Sequence, residues 1–498
     1  MSADRSANCG AKVELGAVSI SSKKPRRNRM QSNQSRNSPA PLRLIALGCV
    51  MLVGILVSVW LSRAYPYGTH PEEGPLLPFI GVTVLLGAGL VLCLRWIPDF
   101  SVSRKTLLMI AVIGVAMRGA MFLSYPVLED DSYRYLWDGA VVAEGVNPYK
   151  YAPVDGYADT SIENANEGPV PQDLQTFQKL AEDNSEAHSR VAYPYIKTIY
   201  PPIAQLAFGA AHQVDPFGLA GWRLVLLISD LVAFFLLVRT LQMFGRSAAW
   251  SVLYWWNPVV IVQGFGAAHM DVLVVPFLLG ALMLHKADRP VASVSALAGA
   301  AAVKLWPILL FPILTRKWLS APKRLFVISL AFGGMILLLL LPQVLSALSS
   351  DSGVYAYSTS WRRHAFIFAV LEDGLFGWSN FSGQLARLLV LISVSLVTLI
   401  AALKLGEDSR AVPVAILISV GALLFLSPTG YPWYLIWLVP FLPFCPNLGL
   451  TTLTATAPLY YLRFIFGDEN PFYMWGIVPI AFGIPLLILL MSARVSKA

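Results

Sequence analysis

From Pro41 almost to the C-terminus, apolar runs long enough to cross a membrane follow one another with few interruptions. A helix needs about 20 such residues to span a hydrocarbon core. Inside that core only structures that pair all their own backbone groups are stable. The expected fold is therefore all-α, a polytopic transmembrane helical bundle. Composition agrees: 56% of the 498 residues are hydrophobic and 13% charged, whereas soluble domains carry about a quarter charged residues. The repetition excludes a single anchor on a soluble domain. Candidate spans fall at 42–62, 75–97, 105–123, 220–243, 248–263, 270–286, 291–315, 325–348, 383–403, 411–427, 431–446, 448–466 and 474–492, about thirteen in all.

The formal charge of +8 would suggest a nucleic-acid partner in a soluble protein; here its location matters more, and no nucleic acid is implied. Residues 1–40 hold eight Lys/Arg against two Asp/Glu, with Lys23, Lys24, Arg26, Arg27 and Arg29 ahead of the first span. The positive-inside rule places that end in the cytoplasm, and the Ser/Asn-rich tail is expected to be disordered. The stretch from Leu42 to Leu61 is too long for a signal core and no small-residue cleavage site follows it, so it is read as a retained helix. The cysteines, Cys9, Cys49, Cys93 and Cys445, imply no disulfide or zinc framework.

Two hydrophilic segments interrupt the series, 124–200 and 350–380. Three spans from an inside N-terminus deliver the first of them to the outside, and its thirteen Asp/Glu against five Lys/Arg agree with that. The apolar piece Pro201 to Gln213 is only about 20 Å long as a helix. Counted as a span it puts Arg239 and Arg246 outside; laid along the interface it returns them to the cytoplasm. The 291–315 stretch must then form a hairpin that breaks near Lys304 and Pro307, with Lys304 near the outer face, so that Arg316, Lys317, Lys323 and Arg324 stay inside. The same alternation puts Gly264–Asp271, 350–380, Ser427–Trp433 and Gly467–Pro471 outside, and the Arg494/Lys497 end inside.

Water-facing chemistry concentrates in a few places. Immediately after the third span stands Glu129-Asp130-Asp131-Ser132-Tyr133-Arg134-Tyr135-Leu136-Trp137-Asp138-Gly139, followed by Gly145-Val146-Asn147-Pro148-Tyr149. Neighbouring carboxylates and partial desolvation raise carboxyl pKa values, and Arg134 opposes that, so a general base could be made here. The plainer reading is a solvated charge run that enforces topology. Tyr133, Tyr135, Trp137 and Tyr149 interleave with the charges, as sugar-stacking or interfacial aromatics do. Tyr200-Pro201-Pro202 opens the proposed interfacial helix and reads equally as a helix start. His269 and Asp271, in Gly264-Phe265-Gly266-Ala267-Ala268-His269-Met270-Asp271, are ionisable groups at a helix end inside a membrane protein, functional by default, although Asp271 also suits a cap. Lys304 lies in otherwise apolar sequence; it either snorkels or meets a lipid-linked phosphate as a point charge. Arg362 and Arg363, basic residues on the supposed outside, suggest an anion to meet. Trp433 and Tyr434, in Tyr431-Pro432-Trp433-Tyr434, shape a sugar pocket or anchor a helix. No P-loop, Rossmann fingerprint or HExxH zinc motif is present. A transferase without a nucleotide site needs a donor already delivered through the membrane, and a polyprenyl-phosphate sugar meets that need.

This ordered set resembles the integral-membrane glycosyltransferases of the C superfamily (GT-C), specifically bacterial polyprenyl-phosphate-mannose-dependent mannosyltransferases. The resemblance rests on Asp130-Asp131 with Tyr133 to Gly139, Gly145 to Tyr149, Tyr200-Pro201-Pro202, Asn257-Pro258 leading to Gly266 to Asp271, Lys304 with Pro307, and Ser427-Pro428 with Pro432-Trp433-Tyr434. It implies a catalytic carboxylate in the first large external loop, which Asp131 matches best with Asp130 as the close alternative, and an assisting acid at Asp271. It leaves the rest of the set, Arg134, Tyr135, Asp138, Asn147, Tyr149, Tyr200, His269, Lys304, Arg362, Arg363, Trp433 and Tyr434, as substrate-binding candidates. It divides the chain into the tail 1–40, two added N-terminal helices within 41–104 and a GT-C core 105–498 with the external catalytic loop 124–219. No cofactor is assigned; the family includes metal-dependent and metal-independent members, so a divalent cation stays open. The partners it implies are a polyprenyl-phosphate sugar, a glycolipid or glycan acceptor and the bilayer, in a bacterial inner membrane. The expected reaction is a single-step hexosyl transfer, of mannose in particular, on the outer face. A lipid-linked oligosaccharide ligase or polymerase and a transporter or flippase are the alternatives; no internal repeat of the transporter kind is visible.

Overall fold

The computed structural model describes residues 40–97, 102–157, 170–347 and 352–495; the basic tail, Cys9 and Lys497 lie outside them. Among the described residues every regular element is helical, with two isolated bridges, Lys197 to Ser352 and Arg363 to Thr429. The protein is the helical membrane bundle that its apolar runs call for. Among the described residues six helices are long and apolar enough to cross a membrane: Leu42–Ser62, Leu76–Cys93, Leu219–Met243, Pro322–Ser346, Ser382–Leu405 and Tyr473–Ser492. Their outer faces leave large apolar side chains uncovered, Trp60 and Leu338 each 72% exposed, a surface that water would not tolerate over so many helices.

We number the helices that position the site α1 (Ala40–Ser62), α2 (Leu76–Cys93), α3 (Arg104–Met121), α4 (Asp131–Ala143), α5 (Pro202–Val214), α6 (Leu219–Met243), α7 (Val274–Lys286), α8 (Pro290–Ala301), α9 (Pro322–Ala347) and α10 (Leu448–Thr456). Several stretches expected as straight spans are built otherwise. Residues 248–263 divide into short turns around Pro258, and 431–446 into the 3-10 turns Pro432–Trp437 and Val439–Phe441. The cause is local: each proline removes a backbone donor. The 291–315 stretch stops as a helix at Ala301 and resumes as a 3-10 turn at Trp306–Leu310, so the expected break near Lys304 and Pro307 is present.

The sharpest break matters most for function. The π-helical turn Val259–Gly266 and the helix from Met270 to Lys286 meet at 113°, with Ala268 held at φ +61°, a region that alanine seldom occupies. Backbone carbonyls freed by such a break inside a membrane bundle must find donors. Arg223 of α6 supplies them: Nε donates to Phe265 O at 2.7 Å and an Nη to Gly266 O at 2.7 Å. Its other Nη donates to Ser124 O at 3.0 Å, and Trp222 Nε1 donates to Ala268 O at 2.7 Å. One buried guanidinium thus ties the break carrying His269 and Asp271 to the loop leading to the acidic triplet.

α5 packs along α4 as the short apolar helix expected after Tyr200, with Pro202 at its first position. Gly139 permits the approach, because a Cβ there would lie 2.4 Å from Phe208 O. Between the two helices Asp138 accepts from Arg134 Nε at 2.9 Å, Thr198 Oγ1 at 2.6 Å and Gln205 Nε2 at 2.9 Å. The N-terminal pair α1 and α2 shares one apolar core with the rest. α2 lies so close to α10 that a Cβ on Gly87 would be 2.4 Å from Ala455 Cα. Deeper in the bundle Arg118 of α3 donates to Asp230 of α6 at 2.5 Å and lies 3.6 Å over the Trp255 ring. This charge is paired within the protein, as one in a membrane must be.

Candidate active site

A cavity of about 680 Å³ opens where α4 begins, where α8 ends and where the Tyr431–Trp437 turn passes. Asp130, Asp131, Arg134, Tyr135, Tyr200, Lys304, Trp433 and Tyr434 line it, so eight of the residues singled out from sequence converge although they span some 300 positions of the chain.

Asp131 is the first residue of α4, with 28% of its side chain open. Burial in the cleft, reinforced by Asp130 and Asp271 and opposed by Lys304 and Arg134, pushes its carboxyl up to about 7. Burial likewise raises Asp130, with Arg463 opposing, and raises Glu129 well above the carboxylate range, with Asp131 and Asp130 adding to it. A carboxyl balanced near neutrality can take a proton from an acceptor at working pH. Beside it, His269 Nδ1 stands 3.7 Å from Asp131 Oδ2 and 3.5 Å from Tyr135 Oη. The imidazole is fully buried and stacks on Trp433 at 3.7 Å, while the other face of the ladder continues from Trp433 to Tyr431 at 4.4 Å. Trp433 therefore has aromatic neighbours on two sides and presents its rim to the cavity.

Lys304 lines the same cavity. Its Nζ donates to Asp271 Oδ1 at 2.7 Å and lies 4.5 Å over Tyr434 and 5.2 Å over Trp437. Asp271 is fully buried and also accepts from Trp437 Nε1 at 2.6 Å. It stands behind Lys304 and does not line the cavity. The pair leaves Lys304 with 21% of its side chain open, lining the cavity that Asp131 also lines.

Other candidates serve the frame around the cavity. Asp138 is consumed by its three donors. Asn147 Oδ1 accepts the Tyr149 N–H at 3.0 Å, closing a local turn, and Tyr149 Oη donates to Tyr200 O at 2.8 Å. Arg362 is held by Glu372 at 2.8 Å and Asp373 at 2.5 Å, and Arg363 approaches Asp468 at 3.5 Å; neither lines the cavity.

Sequence reasoning passed over Arg463, which does line it. Asp468 holds its fork at 2.7 and 2.5 Å, and an Nη donates to Tyr460 Oη at 2.6 Å. The clue was available: Arg463 is a basic residue at the supposedly external end of an apolar run, the pattern used for Arg362 and Arg363. Tyr67, Tyr193, Tyr357 and Trp361 also line the cavity, and scattered aromatics carry no sequence signal that separates them from interfacial anchors. Among the described residues no three His, Cys, Asp or Glu side chains converge to hold a metal ion.

Residues 185–320 match the family described as "Alpha-(1->6)-mannopyranosyltransferase, N-terminal domain". The chain is 24% identical over 391 residues to alpha-(1->6)-mannopyranosyltransferase A of Mycobacterium tuberculosis, covering 73% of this chain and 69% of that protein. It is 24% identical over 241 residues to the Corynebacterium glutamicum protein of the same name, covering 47% of this chain and 44% of the other. No solved structure matches it. Together with the helical membrane fold, these similarities make the chain a membrane-embedded glycosyltransferase. In particular, they support a mannosyltransferase of the C superfamily.

Proposed function

We propose that the protein transfers mannose from a polyprenyl-phosphate donor to a glycolipid or glycan hydroxyl on the outer face of the membrane. The observation that carries the reading is Asp131, a carboxyl near neutrality at the head of α4, in the same cavity as a lysine held by Asp271. In the proposed step the acceptor oxygen attacks the anomeric carbon and its proton passes to Asp131. The bond from that carbon to the phosphate oxygen breaks, and the phosphate leaves with the electron pair toward Lys304, whose charge stabilises it. Asp271 acts through Lys304 by fixing its position. A single displacement inverts the anomeric centre, so an α-linked product of the kind in the relatives' names requires a β-linked donor.

The test is transfer of radiolabelled mannose from synthetic β-linked polyprenyl-phosphate mannose to a membrane extract, comparing wild type with Asp131→Asn and Asp271→Asn at matched expression. Wild-type transfer lost in Asp131→Asn supports the assignment. A folded wild type inactive with every polyprenyl-phosphate sugar moves the function to an oligosaccharide ligase or a transporter.

A further inference from the structure

The loop joining α1 and α2 reaches over the bundle and forms one wall of the cavity through Tyr65, Tyr67, Thr69 and Pro71. It is fixed rather than draped. The Tyr125 N–H donates to Ser62 Oγ at 3.3 Å and an Arg63 Nη to Leu123 O at 3.4 Å, both tying it to the segment before the acidic triplet. Tyr65 is buried beneath Gly74, where a Cβ would meet its ring at 2.4 Å. Gly68 at φ +86° makes the turn that follows Tyr67.

Tyr67 meets Tyr133 of α4 edge-on at 4.8 Å, and Arg190 lies 4.9 Å over Tyr67 and 5.7 Å from Tyr133. The guanidinium thus braces one face of Tyr67 while half of its surface stays open. Arg190 is itself paired with Glu186. Glu129, Asp130 and Lys304 line the same cavity, with Lys304 paired to Asp271. The cavity therefore presents a lysine, suited to a departing phosphate, and, on the α1–α2 loop, an aromatic ring braced by a guanidinium that Glu186 pairs. Aromatic faces with polar tips suit a sugar ring, and the guanidinium beside them is already paired with Glu186, so little favours an anion there.

We propose that the α1–α2 loop forms the acceptor subsite, that Tyr67 is a specificity-determining residue in it, and that the acceptor it takes is an uncharged sugar ring. This rests on the transferase reading above, but binding can be measured apart from transfer. Full-length protein in detergent is titrated with octyl α-mannoside, octyl α-1,6-dimannoside and octyl α-mannoside 6-phosphate, following protein fluorescence without donor. Acceptor and donor KM values are then measured with polyprenyl-phosphate mannose. Tyr67→Ala weakens binding of the neutral mannosides, and raises their KM, about fivefold, with donor KM unchanged within about twofold; Tyr67→Phe and Tyr67→Trp stay near wild type. The proposal is overturned if Tyr67→Ala leaves neutral-mannoside binding unchanged, if it shifts donor KM equally, if the phosphorylated mannoside binds better, or if wild type binds no neutral mannoside at millimolar concentration. Tyr67-dependent binding with no transfer from any polyprenyl-phosphate sugar supports the subsite and refutes the donor.

Discussion

Replacing Asp131 by asparagine should abolish transfer and at the same time stabilise the fold at neutral pH. The carboxyl moves from 3.8 to about 7 on burial in the cavity, which caps the penalty of the ionised form at about 4 kcal/mol. The sign follows from linkage. A carboxyl whose folded pKa is raised binds its proton more tightly in the folded state. Stability is therefore highest below about pH 4 and falls as pH rises through 7, where the whole penalty applies. Two features reduce it: the side chain is 28% open to the cavity, and it sits in the first turn of α4, where the helix dipole favours negative charge by up to about 1 kcal/mol. The asparagine variant should then gain about 1–2 kcal/mol at pH 8 and nothing at pH 4. Loss of a general base should cost about 100- to 10,000-fold in rate. The assay pairs thermal unfolding in detergent at pH 4.5, 6 and 8 with radiolabelled transfer at pH 8. A variant that is less stable than wild type at pH 8, or equally stabilised at every pH, refutes the argument from desolvation; one retaining more than a tenth of wild-type transfer refutes the assignment of the base.

Wild-type kcat/KM should rise with pH, reach half its plateau near the Asp131 pKa of about 7, and lose that limb in any residual Asp131→Asn activity. Lys304→Met should destabilise the protein by about 3–5 kcal/mol, because Asp271 is left buried without its cation; adding Asp271→Asn should restore folding measured by unfolding temperature but not transfer. Arg223→Lys should leave several buried carbonyls without donors at about 1–3 kcal/mol each, lowering kcat with little change in donor KM; an unchanged unfolding temperature would contradict its role as the tie between the two acidic loops. Gly139→Val should force α4 away from α5, where a Cβ has 2.4 Å to Phe208 O, costing about 1–3 kcal/mol, read as protease sensitivity of the segment between Ala143 and Tyr200.

Local chemistry made much of this protein legible in its sequence. Run lengths of apolar residues require helices in a bilayer whatever their neighbours, and a proline or glycine break inside such a run announces itself, as at Lys304 with Pro307 and at Gly264 to Asp271. Charges are costly beside lipid, so Asp131, Asp271 and Lys304 stand out against apolar flanks, and the cavity brings Asp131 and Lys304 together with Asp271 behind them. What each charge does was decided only by its partners in three dimensions. Arg362 is spent on Glu372 and Asp373, Asp138 on Arg134, Thr198 and Gln205, and Arg463 faces the cavity. In one dimension all three are equivalent, since pairing depends on which distant element packs alongside. The thirteen apolar runs were likewise visible, but which of them form the six continuous helices of spanning length, and the 113° angle at the Gly264 to Asp271 break, were not. Whether an apolar run stays straight is set by where its freed carbonyls find donors, and here they find Arg223 and Trp222, about 45 residues upstream in α6.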